Sequence, residues 1–256
     1  FNKNDFSYLT SIGNFGEGPE EITVMGCLAI DEAHHQLYVS DHAKQKIFSY
    51  DMDSVMVDSL YKPQVKTAMN ETLFPSEYQY INDTLSIAVL IKPTSTSTFN
   101  QFLGRWNMNT GEMIPMKYTH PDIQKKRITF AASEKAGIYV ECYTRHDLMT
   151  ICSLDGELLY NIYGPDWDGG NGNKLQSFGT VMIGNDKIFV SYCGEDYARD
   201  SFPTKILVFD LEGNYLKTLE TGYKISDCCY DSFNNRIILS LNDVVQFAYL
   251  DIDGII

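Results

Sequence analysis

With 256 residues, 44% of them hydrophobic and 21% charged, the chain can build a globular core and falls outside the disordered class. Its formal net charge of −14 repels phosphate backbones and anionic headgroups, which argues against nucleic acid and acidic membrane surfaces as partners. No apolar run approaches the ~20 residues of a membrane helix, and 17 Tyr with 14 Phe suit half-buried strands.

In chain order, residues 6–13 read as an isolated strand following the Asn4-Asp5 turn. Strands are then expected at 26–30 and 36–40, followed by a turn signature at 48–54. The same signature, an apolar strand running into Asp or Asn and then Gly or Ser, returns at 106–111, 152–156, 208–213 and 249–254. Asp-Gly and Asn-Gly steps supply the positive φ of tight hairpins. A β-rich strand precedes each copy, at 85–89, 137–140, 187–191 and 236–240, and a fourth strand follows, as at 158–163 and 215–219. Four strands per unit of roughly 40–50 residues is the pattern of propeller blades. The chain is therefore expected to be an all-β, single-domain β-propeller over residues 1–256, with five countable four-stranded blades. A sixth, degenerate blade would sit around residues 62–75. The last unit stops just after its third turn, so residues 6–13 are expected to supply its fourth strand and close the ring.

Six cysteines (Cys27, Cys142, Cys152, Cys193, Cys228 and Cys229) form no C-x-x-C pair, which removes zinc-ribbon and thioredoxin chemistry. Most sit in apolar strand patterns and are expected to be buried free thiols. The chain opens on Phe1 and not on Met, so an upstream leader is expected. No Walker or dinucleotide glycine motif is present.

Gly13-Asn14-Phe15-Gly16-Glu17-Gly18-Pro19-Glu20, followed by Ile30-Asp31 and Leu37-Tyr38-Val39-Ser40-Asp41, resembles the opening of the TolB-like six-bladed propellers. The step from Asp41 to Ile47 is similar to the rhythm of NHL-repeat propellers. The resemblance implies six blades, export, a lipid anchor upstream of the chain and a periplasmic or outer-membrane-attached location. It also implies no established enzymatic activity.

Propellers carry ligands in loops at one mouth of the ring. Asp41, His42, Glu141, Tyr192 and Asn242 with Asp243 lie just past the second strand of their blades and are candidates there. Of these, Asp41, His42, Glu141 and Asn242 could together hold calcium or another divalent cation. The most distinctive loop is Asp166-Trp167-Asp168-Gly169-Gly170-Asn171-Gly172-Asn173. Its acidic spacing suggests a calcium loop, but Asn171 and Ser177 occupy the Gly and Glu positions an EF-hand requires. Asp166 and Asp168 are ligand candidates, and Trp167 could serve as a platform for a sugar ring. Arg145-His146-Asp147 places a His beside an Asp without a nucleophile motif and is expected to be a solvated hairpin tip. Asn70-Glu71-Thr72 and Asn82-Asp83-Thr84 match the glycosylation pattern.

Two functions follow as expectations. The first is a monomeric, non-enzymatic binding or scaffolding propeller without a cofactor, its partner a protein or a carbohydrate. The second is a lactonase-like, metal-dependent hydrolase or lyase working at the channel mouth.

Overall fold

A computed structural model describes residues 1–171, 175–196 and 201–255. The chain divides into two compact units, Phe1–Met116 and Lys117–Ile256.

The first unit holds two antiparallel four-stranded meanders. One is β1 (Met25–Asp31), β2 (Gln36–Asp41), β3 (Lys46–Asp51) and β4 (Gln64–Ala68). The other is β5 (Phe74–Asn82), β6 (Leu85–Pro93), β7 (Phe99–Trp106) and β8 (Met113–Pro115). The first strands β1 and β5 lie against each other. Between the sheets Tyr38 and Ile47 pack with Tyr78, Leu90 and Trp106.

The second unit continues the pattern. Its first sheet is β9 (Ile128–Ser133), β10 (Ile138–Tyr143), β11 (Leu148–Ser153) and β12 (Leu158–Tyr163). The next is β13 (Leu175–Gly184), β14 (Lys187–Asp196), β15 (Lys205–Asp210) and β16 (Tyr215–Glu220). The last has three strands, β17 (Ile225–Asp231), β18 (Arg236–Leu241) and β19 (Phe247–Asp251). β13 lies against both β9 and β17, so first strands neighbour first strands here as well.

Alternation along a strand explains the stacking, because successive side chains leave opposite faces. In β14, Ile188 and Val190 join a core with Val140, Cys142 and Ile151. Phe189, between them, joins Ile225, Ile237 and Leu239 on the other side. A middle sheet covered on both faces has no room for a polar alternate, and for this reason the strand reads Ile-Phe-Val without interruption.

The blade rhythm is therefore present as expected, with three departures. The first turn copy is no hairpin: Asp51 caps a short helix, α1 (Met52–Val57), its side chain accepting the Ser54 N–H at 2.7 Å. Residues 62–75 contain no extra blade, because they hold β4 and the start of β5. Nor do residues 6–13 form a strand. Asp5 accepts both the N–H (2.9 Å) and the hydroxyl (2.7 Å) of Ser7, and Phe6 is held at φ 57°. That Asx turn bends the chain where extended backbone was required. All six cysteines are free, four of them buried; Cys27 is half-buried and Cys229 exposed. Among the described residues no helix is long and apolar enough to cross a membrane.

Candidate functional site

The segment entering β9 holds three consecutive cations, Lys125, Lys126 and Arg127. The middle one turns inward. Lys126 Nζ donates to Glu141 Oε1 at 2.5 Å, and the two side chains are 7% and 0% exposed. The Tyr143 hydroxyl donates to the other Glu141 oxygen at 3.1 Å. Glu141, expected at an open mouth, is thus committed to a buried ion pair. The pair fixes its neighbours Lys125 and Arg127, which both line an open cleft of about 590 Å³. The Arg127 carbonyl accepts the Thr144 N–H at 3.0 Å, tying this wall to the next one.

That next wall is the Arg145-His146-Asp147 turn, and here the expectation of a solvated tip is corrected. Arg145 is exposed, but His146 and Asp147 are buried. The chain beyond β12 folds back over them: Asp147 Oδ2 accepts the Asp166 N–H at 3.0 Å, and its carbonyl accepts the Gly164 N–H at 2.8 Å. Burial raises the Asp147 pKa above the usual carboxylate range; the Asp166 N–H pulls it down and the Asp166 carboxylate pushes it up further. Arg145 and His146 line the cleft.

The third wall is the acidic loop, whose Gly172 and Asn173 lie outside the described residues. Trp167 is half-buried against other aromatic rings. Its ring lies 5.0 Å from that of Tyr163, 5.4 Å from His120 and 6.1 Å from His146, and it does not line the cleft. His120 in turn sits 3.1 Å from the Tyr163 hydroxyl. Burial lowers the His120 pKa, with Asp122 working against the shift. Asp168 Oδ1 accepts the Gly170 N–H at 3.2 Å and stands 3.7 Å from His146 Nδ1. The loop's contribution to the cleft is residues 169–171. Gly170 sits at φ 84°, and a Cβ there would fall 2.4 Å from the Asp122 carbonyl oxygen, so only glycine lets the loop close on Asp122.

The other candidates are placed elsewhere. Asp41 is fully buried, and its carboxylate accepts the N–H groups of Thr23 (2.8 Å), Val24 (3.2 Å), Ala43 (3.0 Å) and Lys44 (3.2 Å). Burial opposes its charge, but those N–H groups outweigh it and hold the pKa below the usual range. Next to it, the His42 ring packs 6.1 Å from that of Phe74. Tyr192 packs edge-on against Phe178 at 5.4 Å. Burial, with Asp147 and Asp166 adding to it, pushes the Tyr192 hydroxyl up to about 12. Asn242 is exposed and borders a second, more open cleft of about 810 Å³ with Thr129, Thr144 and Ser191. Neither Glu141 nor Tyr192 lines the cleft that Asn242 borders. Among the described residues no group of three or more His, Cys, Asp or Glu side chains could hold a metal ion.

The sequence points to the acidic loop and to the Arg145-His146-Asp147 turn, but not to Lys125, to Arg127 or to the burial of His146. The run of three cations was the available signal.

Three solved structures are similar to the chain, two of them with TM-scores above 0.5. A protein of unknown function from Bacteroides caccae matches with a TM-score of 0.51 at 12% identity, over 90% of this chain and 78% of that one. A nidogen/laminin complex gives 0.54 at 12% identity, over 81% and 71%. A gluconolactonase from Xanthomonas campestris gives 0.46 at 12% identity, over 87% and 84%. No curated protein matches the chain. Residues 1–143, more than half of the chain, match the DUF5128 family, described as a 6-bladed beta-propeller; five blades are seen among the described residues. The blade architecture and this match together place the chain in that 6-bladed beta-propeller family.

Proposed function

We propose that the protein is a non-enzymatic binding propeller whose ligand docks in the cleft beside Arg145 and residues 169–171. One observation carries this reading: each wall of the cleft is fixed from beneath. The Lys126–Glu141 pair holds the first, Asp147 with the Asp166 N–H holds the second, and the Trp167 cluster holds the third. Walls that are already ordered lose little entropy when a ligand arrives, which is the general basis of preorganised recognition. The volume falls in the roughly 300–1,000 Å³ range of small-molecule sites. A small carbohydrate is therefore a better match to the cleft than a flat protein surface. The TolB-like opening sequence supports export and a lipid anchor, and so a ligand met outside the cytoplasm.

The test compares wild type with a variant carrying Asp166→Ala, Trp167→Ala and Asp168→Ala. Both are screened by thermal shift and calorimetry against mono- and disaccharides, sugar acids and gluconolactone. Binding to wild type that is lost in the variant, with the compound recovered unchanged by mass spectrometry, is the expected result. Equal binding to both proteins would show that the Asp166–Asp168 loop does not order the binding site and would overturn this reading. Turnover of the lactone, dependent on added calcium or zinc, would replace the reading with the metal-dependent hydrolase.

A further inference from the structure

The cleft's charge runs against that of the chain. The protein carries 34 acidic residues against 20 basic ones. Yet the described lining residues of this cleft include Lys125, Arg127 and Arg145 against one carboxylate, Asp122. Arg127 is oriented by donating to the Lys126 carbonyl at 2.8 Å, and its backbone is tied to Thr144. Lys125 is exposed. Inside a concave site, like charges gathered on fixed walls focus the potential and raise the local concentration of counter-ions. Arginine is the side chain suited to gripping an oxyanion through two parallel N–H donors.

A second observation points the same way. His146 lines the cleft and is 6% exposed, and its Nδ1 has no hydrogen-bond partner. Asp168 Oδ1, at 3.7 Å, stands beyond hydrogen-bonding distance. A buried ring nitrogen without a partner calls for an explanation, because nearly all such atoms in folded proteins are satisfied. An oxygen acceptor brought into the cleft is one such explanation.

We infer that the cleft formed by Lys125, Arg127, Arg145 and His146 binds a small molecule through an oxyanion: a carboxylate, sulfate or phosphate group. The inference rests on the binding function proposed above and adds the chemical class of the ligand. The anion sits against the two guanidinium groups, with Lys125 closing over it and the uncharged part of the ligand turned toward residues 169–171. Asp122 opposes a second negative charge on that side, which favours ligands carrying a single acidic group.

The experiment is calorimetric titration of the whole chain with galacturonate, galactose 6-sulfate, galactose 6-phosphate, inorganic phosphate and uncharged galactose. Wild type is compared with Arg145→Gln, Lys125→Gln and Lys92→Gln; the last removes a positive charge from an exposed position in the other unit. At least one acidic probe is expected to bind. Its Kd should rise about tenfold or more in Arg145→Gln and by a smaller factor in Lys125→Gln, should weaken with added salt, and should be unchanged in Lys92→Gln. The tightest of the four anions identifies the group. Galactose binding as tightly as its acidic forms, or acidic probes indifferent to Arg145 and Lys125, overturns the oxyanion while leaving the binding function in place. Failure of every probe, charged and uncharged, to bind overturns both.

Discussion

Lys126 and Glu141 meet at 2.5 Å with almost no solvent on either side chain. The pair does two things at once. It neutralises a carboxylate buried in β10, and it sets the phase of the segment so that Lys125 and Arg127 line the cleft. Glu141→Gln leaves the ammonium buried without a counter-charge. The expected loss is about 3–5 kcal/mol, the usual cost of breaking one half of a buried pair. Urea unfolding measures it. Replacing both partners with apolar residues, Lys126→Met with Glu141→Leu, should recover most of that loss. A single variant as stable as wild type would show that the pair does not order this wall.

Asp41 gives the acid limb of the stability curve a specific source. Its pKa is lowered in the folded state, so the folded state binds this proton less readily than the unfolded chain. The contribution is fully present above the unfolded carboxylate pKa of about 3.9 and is lost as pH falls through the lower, folded pKa. Asp41→Asn should cost about 1–3 kcal/mol at pH 7, because an amide cannot satisfy all the N–H groups the carboxylate accepts. The deficit should shrink in acid. A deficit that stays constant from pH 7 to pH 3 would refute the assignment.

Asp147 has the opposite sign. Its folded pKa is raised by burial, so the charged form is penalised in the native protein. The associated stability is fully present below the unfolded pKa and lost as pH rises through the folded one. Asp147→Asn keeps an acceptor for the Asp166 N–H and removes the penalty. The variant is expected to match or exceed wild-type stability at pH 7, with the difference closing near pH 3. Thermal melts at the two pH values decide; a variant clearly less stable at pH 7 contradicts the argument.

Gly170 and Gly111 separate a steric requirement from a conformational one. Both have positive φ, at 84° and 77°. A Cβ at Gly111 would meet nothing within 4 Å, whereas at Gly170 it would collide with Asp122 backbone. Gly111→Ala should cost about 1 kcal/mol from backbone conformation alone. Gly170→Ala should cost more, and should raise amide exchange locally in residues 165–171 and around Asp122. Equal costs for the two variants would mean that the loop does not seat on Asp122.

Particular residues show why some features were legible in the sequence and others were not. The alternation Ile188-Phe189-Val190 and the Asp-Gly turns are local signals, since a strand's period and a turn's φ are fixed by neighbours in sequence. The N-terminal strand failed because an equally local signal, the Asx turn at Asp5, outweighed the β-rich composition after it. The burial of the Arg145-His146-Asp147 turn is illegible in the sequence because the chain covering it arrives from residues 164–168, which spacing within the turn cannot reveal.

The sequence by itself determined the repeating meander, the antiparallel hairpins and the special character of the Asp166–Asp168 loop, because strand period, turn glycines and composition are encoded within a few residues. Tertiary structure alone decided what that loop is for. It packed the half-buried Trp167 against Tyr163, His120 and His146, turned Lys126 toward Glu141, and left Lys125, Arg127 and Arg145 around one cleft. Which way a polar side chain faces depends on partners 15 to 50 positions away, and burial, not local propensity, selects them.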